Sequence, residues 1–140
     1  MTTASRPSMP LGETIFTQRA IRRMRSVPIP DADLQVILEA AIRAPSGSNT
    51  QPWHFLVVRD PELRAQLGVL YREAWWAKRK DEGINGPEDI PPGKSNKRSA
   101  MRLSNEIGAA PVIVLLCATS RGAGPAGSTI PAAQNLLLAA

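Results

Sequence analysis

The sequence predicts an α+β fold, and three stretches carry that reading. Leu34, Ile37, Leu38, Ala41 and Ile42 recur at the spacing of one helix face. Phe55 to Val58 is apolar, β-branched and too short for a helix, so it reads as a strand. Ala110 to Ala118 (APVIVLLCA) is a continuous apolar run that fits a strand buried on both faces.

The remaining elements follow in order. The opening residues MTTASRPSMPLG lack the apolar core of a signal peptide, so residues 1–11 read as a flexible leader. Residues 12–140 then form one domain, enough to bury a moderate core. Leu11 to Arg23 reads as the first helix, with Ile15, Phe16 and Ile21 facing inward. Arg19, Arg22 and Arg23 lie three and four residues apart and would share one side of it. Arg25, Val27, Pro28 and Pro30 end it. Asp31 or Asp33 is expected to cap the second helix.

Asp60 and Pro61 supply a cap and a first-turn proline for a third helix, running to about Lys80. Leu63, Leu67, Leu70 and Tyr71 would form its buried face. Glu82 to Lys97, rich in Gly, Pro and mixed charge, reads as an exposed, mobile excursion. A short helix is expected over Arg98 to Ile107. Ser120 to Ser128 reads as a Gly-rich loop. Ile130 to Ala140 reads as a deeply buried helix, apolar nearly all round. It carries no Gly, Lys or Pro stop signal, so the sequence reads as cut within that helix.

Charge and composition limit the function classes. The net charge of +5 invites nucleic acid, an anionic membrane or a phosphate-bearing small molecule. An aromatic content of 4% argues against binding single strands by stacked rings. No apolar stretch is long enough to span a bilayer. A single cysteine, Cys117, leaves no internal disulfide and points to a reducing cytoplasm. One Cys and one His argue against a protein-only metal site. There is no P-loop and no GxGxxG.

Two clusters carry candidate chemistry. In Ala44 to Phe55 (APSGSNTQPWHF), Pro45 stops a helix, and Ser46, Gly47 and Ser48 leave the backbone open to close approach. Gly47 is free to take φ > 0. Asn49 and Gln51 add amides with donor and acceptor ends. Either these groups close a helix onto a strand, or they hold the edge of a planar heterocycle. Arg19, Arg22 and Arg23 are either a solvated basic face or a phosphate clamp. His54 has no evident partner in sequence and reads as a surface histidine. Cys117 reads as a packing residue. Tyr71, Trp75 and Trp76 either cover the core or line an entrance.

APSGSNTQPWHF resembles the helix-to-strand signature of the nitroreductase family of flavoenzymes. Arg19 to Met24 (RAIRRM) resembles that family's arginine-rich motif, and Ile130 to Ala140 (IPAAQNLLLAA) the start of its central helix. The resemblance covers most of residues 12–140. It implies helices around a small, mainly antiparallel sheet, and FMN as cofactor. It places Arg19, Ala20, Arg22 and Arg23 at the phosphate and ring edge, and Pro45, Ser46, Gly47 and Asn49 at the ring.

The same resemblance implies a homodimer with the loop reaching across its interface. NAD(P)H would deliver a hydride, and electrons would pass to a nitroaromatic, quinone or similar small acceptor. No catalytic side chain is required, because the cofactor does the chemistry. Departures from the motif are Gln18 where Arg is frequent, Ala20 where Ser is common, and Met24 where an aromatic is expected. The family's domain is also longer than this chain. The alternative is therefore a truncated, non-catalytic remnant or a dimerising structural fragment. A basic nucleic-acid-binding module rests on charge alone and ranks last. Small-molecule chemistry, without nucleic acid or membrane, is the expectation.

Overall fold

The structure is a computed structural model that describes residues 8–140. Most of the leader expected over residues 1–11 lies outside the described residues. The elements are α1 (Leu11–Thr17), α2 (Asp31–Ala41), β1 (Trp53–Val58), α3 (Pro61–Asp81), α4 (Ser95–Glu106), β2 (Ile113–Ala118) and α5 (Ala123–Ala139). Short 3-10 turns occupy Gly47–Asn49, Pro87–Asp89 and Ile107–Ala109. β1 and β2 pair as a two-stranded antiparallel sheet. The Thr119 N–H donates to the Pro52 carbonyl at 3.1 Å, so the end of β2 meets the start of β1. The α+β class is as the sequence predicts.

The chain divides into two compact units. The first takes the described residues through Arg19, Ile29–Val57 and Val114–Ala140. Its core is Ala44, Trp53 and Ala132, with Phe55 and Leu116 packed against them. α2 packs along α5, and the Asn135 amide donates to the Ala40 carbonyl at 3.2 Å. That bond satisfies one of the carbonyls left open at the end of α2.

Three expectations for this unit are corrected. Asp31 and Asp33 do not cap α2; its N-cap is Pro30, and both carboxylates sit in the first turn, where the helix dipole favours them. α5 begins at Ala123, so most of the stretch expected as a Gly-rich loop is helical. Gly122 enters it at φ 132, and Pro125 falls in the first turn, where a missing N–H costs no helical bond. α5 is not buried all round either. Ser128 and Ala132 face inward, while Ile130 and Leu137 are 69% and 60% exposed.

The first helix is shorter than expected and ends at Thr17. The Thr14 and Thr17 hydroxyls donate back to the Pro10 and Glu13 carbonyls, at 3.1 and 2.7 Å. Gln18 turns to extended backbone (φ −52, ψ 132). The Arg19 guanidinium then closes the helix end by donating to the Phe16 and Gln18 carbonyls, at 3.2 and 2.7 Å. Ile15, Phe16 and Ile21 are exposed rather than inward.

The second unit takes Ala20–Pro28 and Val58–Ile113. Asp60 caps α3 as expected, accepting the Leu63 N–H at 2.8 Å, with Pro61 in the first turn. The inward face differs from the expected one: Leu63, Leu70 and Tyr71 are exposed. The face is set instead by Arg64, which donates to the Ala110 carbonyl, and by Gly68. A Cβ on Gly68 would lie 2.8 Å from the Gly108 Cα, so glycine lets the Ile107–Ala109 turn seat on the helix.

The expected mobile excursion after α3 is in fact pinned. Ile84 and Ile90 are 6% and 1% exposed. The Asp89 carboxylate accepts the Asn85 and Gly86 N–H groups at 2.8 and 3.1 Å. Glu82 takes ion pairs from Arg79 at 2.7 Å and Lys97 at 2.8 Å. The Lys97 hydrogen bond is the main reason its carboxyl titrates below the ordinary 4.5. Trp75 and Trp76 meet edge to face with centroids 4.8 Å apart, and Arg79 lies over Trp75 at 5.2 Å. Both rings are half-buried in that cluster, which is the packing reading of the pair.

Two outcomes follow from the second unit. Gly68→Ala should cost about 1–3 kcal/mol in urea unfolding, because backbone rather than a flexible side chain blocks the new methyl. An unchanged midpoint would contradict that contact. A carboxyl with a lowered folded pKa stabilises fully above its unfolded pKa and loses this as pH falls through the folded one. Lys97→Met should therefore lower stability at pH 7, with the gap to the native chain closing as pH falls below 4.5. A gap that does not depend on pH would show that the pair contributes nothing through charge.

Candidate functional site

The loop between α2 and β1 is built by a helix stop and a constrained exit. The last turn of α2 closes with Arg43 and Ala44 N–H groups on the Ala40 and Ala41 carbonyls, both at 3.2 Å. Pro45 follows, and Ser46 is extended (φ −139, ψ 149). The sequence points to Gly47 as the left-handed residue, and the structure corrects this. Ser48, Asn49 and Gln51 take positive φ, at 50°, 55° and 47°. For an L-residue that conformation costs roughly 1–2 kcal/mol, and Asn tolerates it best.

The ring of Pro52 disfavours the right-handed helical region for the residue before it. The Trp53 N–H then reaches the Gln51 carbonyl at 2.8 Å, closing a tight turn around buried Pro52. The strain is offset by bonds inside the loop. Asn49 and Thr50 N–H groups donate to the Ser46 and Gly47 carbonyls, at 3.0 and 3.1 Å. The Gln51 N–H donates to Ser46 Oγ at 3.0 Å, and the Thr50 hydroxyl to the Gly47 carbonyl at 2.9 Å. Ser48 and Asn49 remain exposed on the outer side of this fixed shape, and the Asn49 carboxamide is outside the network. Left-handed non-glycine residues held this way cluster at ligand sites.

α5 holds this loop and also the end of the N-terminal segment. The Gly47 N–H donates to Ser128 Oγ at 3.2 Å. The Gln134 amide donates to Gln18 Oε1 at 2.9 Å. Ser128 and Gln134 are six residues apart, about 9 Å along a helix axis. One helix of the first unit therefore carries both Gly47 and the residue preceding Arg19. Pro45, Gly47 and Asn49 are exposed and Ser46 is half-buried. Arg19 is exposed, and its guanidinium has more N–H groups than the two carbonyl bonds use.

The arginines do not share a helix face, contrary to the sequence expectation, because α1 stops before them. Ala20, Arg22 and Arg23 lie in the irregular stretch of the second unit; Arg22 is half-buried, Ala20 and Arg23 exposed. His54 is exposed on β1, and Cys117 is half-buried on β2. Ser128 escaped the sequence reading, since Gly and Ser around it resembled a loop, and Gln134 escaped it because its helix was read as apolar nearly all round. The spacing of Ser128, Ala132 and Asn135 on one helix face was the available clue.

This donor set suits a flat polar heterocycle carrying a phosphate. Backbone and amide groups on a fixed loop suit a ring edge, and a guanidinium suits the anion. The nitroreductase family model matches residues 15–140. An NADH dehydrogenase of Thermus thermophilus is 45% identical over 64 residues, which are 46% of this chain and 31% of that protein. The chain thus matches about a third of that relative's length. Iodotyrosine deiodinase bound to FMN and 3-iodo-L-tyrosine has a similar structure, with a TM-score of 0.72 and 25% identity, covering 93% of this chain and 68% of that one. The FMN-dependent nitroreductase NfnB from Mycobacterium smegmatis, in complex with NADPH, superposes at a TM-score of 0.63 with 25% identity, covering 91% and 68%.

The loop geometry makes its own prediction. Ser48→Gly should hold or raise stability by up to about 1 kcal/mol, while Ser48→Val should lower it by about 1–2 kcal/mol. Thermal unfolding of the two variants checks this. Equal losses in both would mean that residue 48 is not left-handed.

Proposed function

The chain belongs to the nitroreductase family, and from that premise we propose that it binds FMN and acts as an FMN-dependent oxidoreductase. The observation that carries this reading is the strained, internally bonded loop from Ser46 to Gln51, seated on the helix that also holds Gln18. Pro45, Ser46, Gly47 and Asn49 would frame the ring edge. Arg19, Arg22 and Arg23 would hold the phosphate, with the Ala20 backbone beside it. When bound, FMN supplies the hydride- and electron-transfer chemistry. The chain's part is to bind the cofactor, orient it and keep one face open. No side chain is assigned as a general acid or base.

NAD(P)H is the proposed electron donor, supported by the NADPH in the mycobacterial relative. The proposed acceptor is a small electron-poor aromatic such as a nitroaromatic or quinone. The deiodinase with its bound iodotyrosine adds halophenols to the classes worth trying. A homodimer belongs to the same reading. Leu11, Ile15 and Phe16 on α1, and Ile130 and Leu137 on α5, are 51–81% exposed in the first unit. On that reading these apolar side chains are available to a partner copy. No helix among the described residues is long and apolar enough to cross a membrane. A reducing cytoplasm is the proposed setting, in keeping with the free thiol of Cys117. The alternative reading, a non-catalytic dimerising fragment, draws on the short match to the longer relatives.

Purified protein should be yellow, or become so with added FMN. Arg19→Ala and Arg22→Ala should each weaken FMN binding roughly tenfold or more, because a phosphate loses a charge-assisted partner. Thermal unfolding of the unliganded variants should barely move. A colourless preparation that does not quench FMN fluorescence would favour the fragment reading. FMN affinity unchanged in both variants would remove the arginines from the site.

A further inference from the structure

We propose that Ser128 is the positioning residue for the loop at the proposed ring site: its hydroxyl sets where Ser46 to Gln51 stands, and so how tightly FMN is held. The inference rests on the FMN reading above. The bonds within the loop fix its shape only, since each begins and ends between Ser46 and Gln51. A unit closed on itself in this way can still tilt between its two anchors, buried Ala44 on one side and buried Pro52 and Trp53 on the other. Among the described residues, the polar tie from loop to helix is the Gly47 N–H on Ser128 Oγ at 3.2 Å.

The surroundings of Ser128 support this role. It is 9% exposed, and Ala132, one turn further along α5, is fully buried against Ala44 and Trp53. Alanine at position 128 would continue that small apolar face without strain. A buried hydroxyl is costly unless it is hydrogen-bonded, and Gly47 supplies the bond. The methylene of Ser128 packs, while its oxygen fixes the height of the loop over the helix. Gly47 leaves room for this, since a Cβ there would reach only to 4.0 Å from the Ser128 oxygen. The tie therefore depends on the hydroxyl rather than on a tight steric fit.

The test is FMN titration of the purified chain, read by quenching of flavin fluorescence and by the position of the visible flavin band. Ser128→Ala should bind FMN about five- to tenfold more weakly, with a shifted band. Ser128→Thr keeps the hydroxyl and should restore both. Native affinity in Ser128→Ala, or equal weakness in Ser128→Thr, would overturn the proposal. Should Ser128→Ala fail to fold, amide hydrogen exchange in the unsubstituted chain decides: Gly47 should be protected without FMN, and exchange at the open-chain rate would count against the tie. An unsubstituted chain that never binds FMN overturns the functional reading instead, and a protected Gly47 amide would then still credit Ser128 with holding the loop.

Discussion

Three left-handed residues within four positions are the constraint that orders the first unit. Ser48, Asn49 and Gln51 would relax to ordinary backbone in a free peptide. They stay because the loop's own donors are used inside it and because both its ends are buried. The core of Ala44, Trp53 and Ala132 is small, but it lies directly beneath the loop. Packing and strain are therefore joined at one place, and α5 is the element they share. A helix is stiff over the distance from Ser128 to Gln134, so fixing one end of that span fixes the other.

That arrangement explains why the N-terminal segment matters although α1 contributes no buried residue. The seven-residue helix is too short to be stable by propensity alone. Its end is held by Arg19 on its own carbonyls and by Gln18 on α5. The arginine thus stands on a tethered segment, with donors to spare. The second unit follows a separate logic, in which close backbone approach at Gly68 and buried Ile90 replace a large apolar face.

Much of the fold was legible because its instructions are local. Helical spacing placed α2, the Asp60–Pro61 pair placed the start of α3, and two apolar runs placed β1 and β2. What failed depended on tertiary choices. Hydrophobicity pointed to Leu63 and Leu70 on α3, whereas a glycine contact and a half-buried Arg64 bond chose the other side. Gly and Pro in Glu82 to Lys97 suggested mobility and hid two anchoring isoleucines. Gly and Ser before Ile130 hid the first turns of α5, although Pro125 there was a readable start signal. The loop from Pro45 to Gln51 was legible as a motif. Its left-handed positions were not, because glycine is the usual choice for them and the chain placed them elsewhere.

On the proposed reading, the end of the α1 segment at Gln18 and Arg19 and the loop after α2, both held by α5, serve one ligand. The most direct measurement is amide hydrogen exchange across an FMN titration, resolved to Gln18 and Arg19 and to the segment from Ser46 to Gln51. Protection rising in both segments with one shared dissociation constant is the predicted result. Protection confined to one of them, or absent from both while FMN is bound, would contradict it.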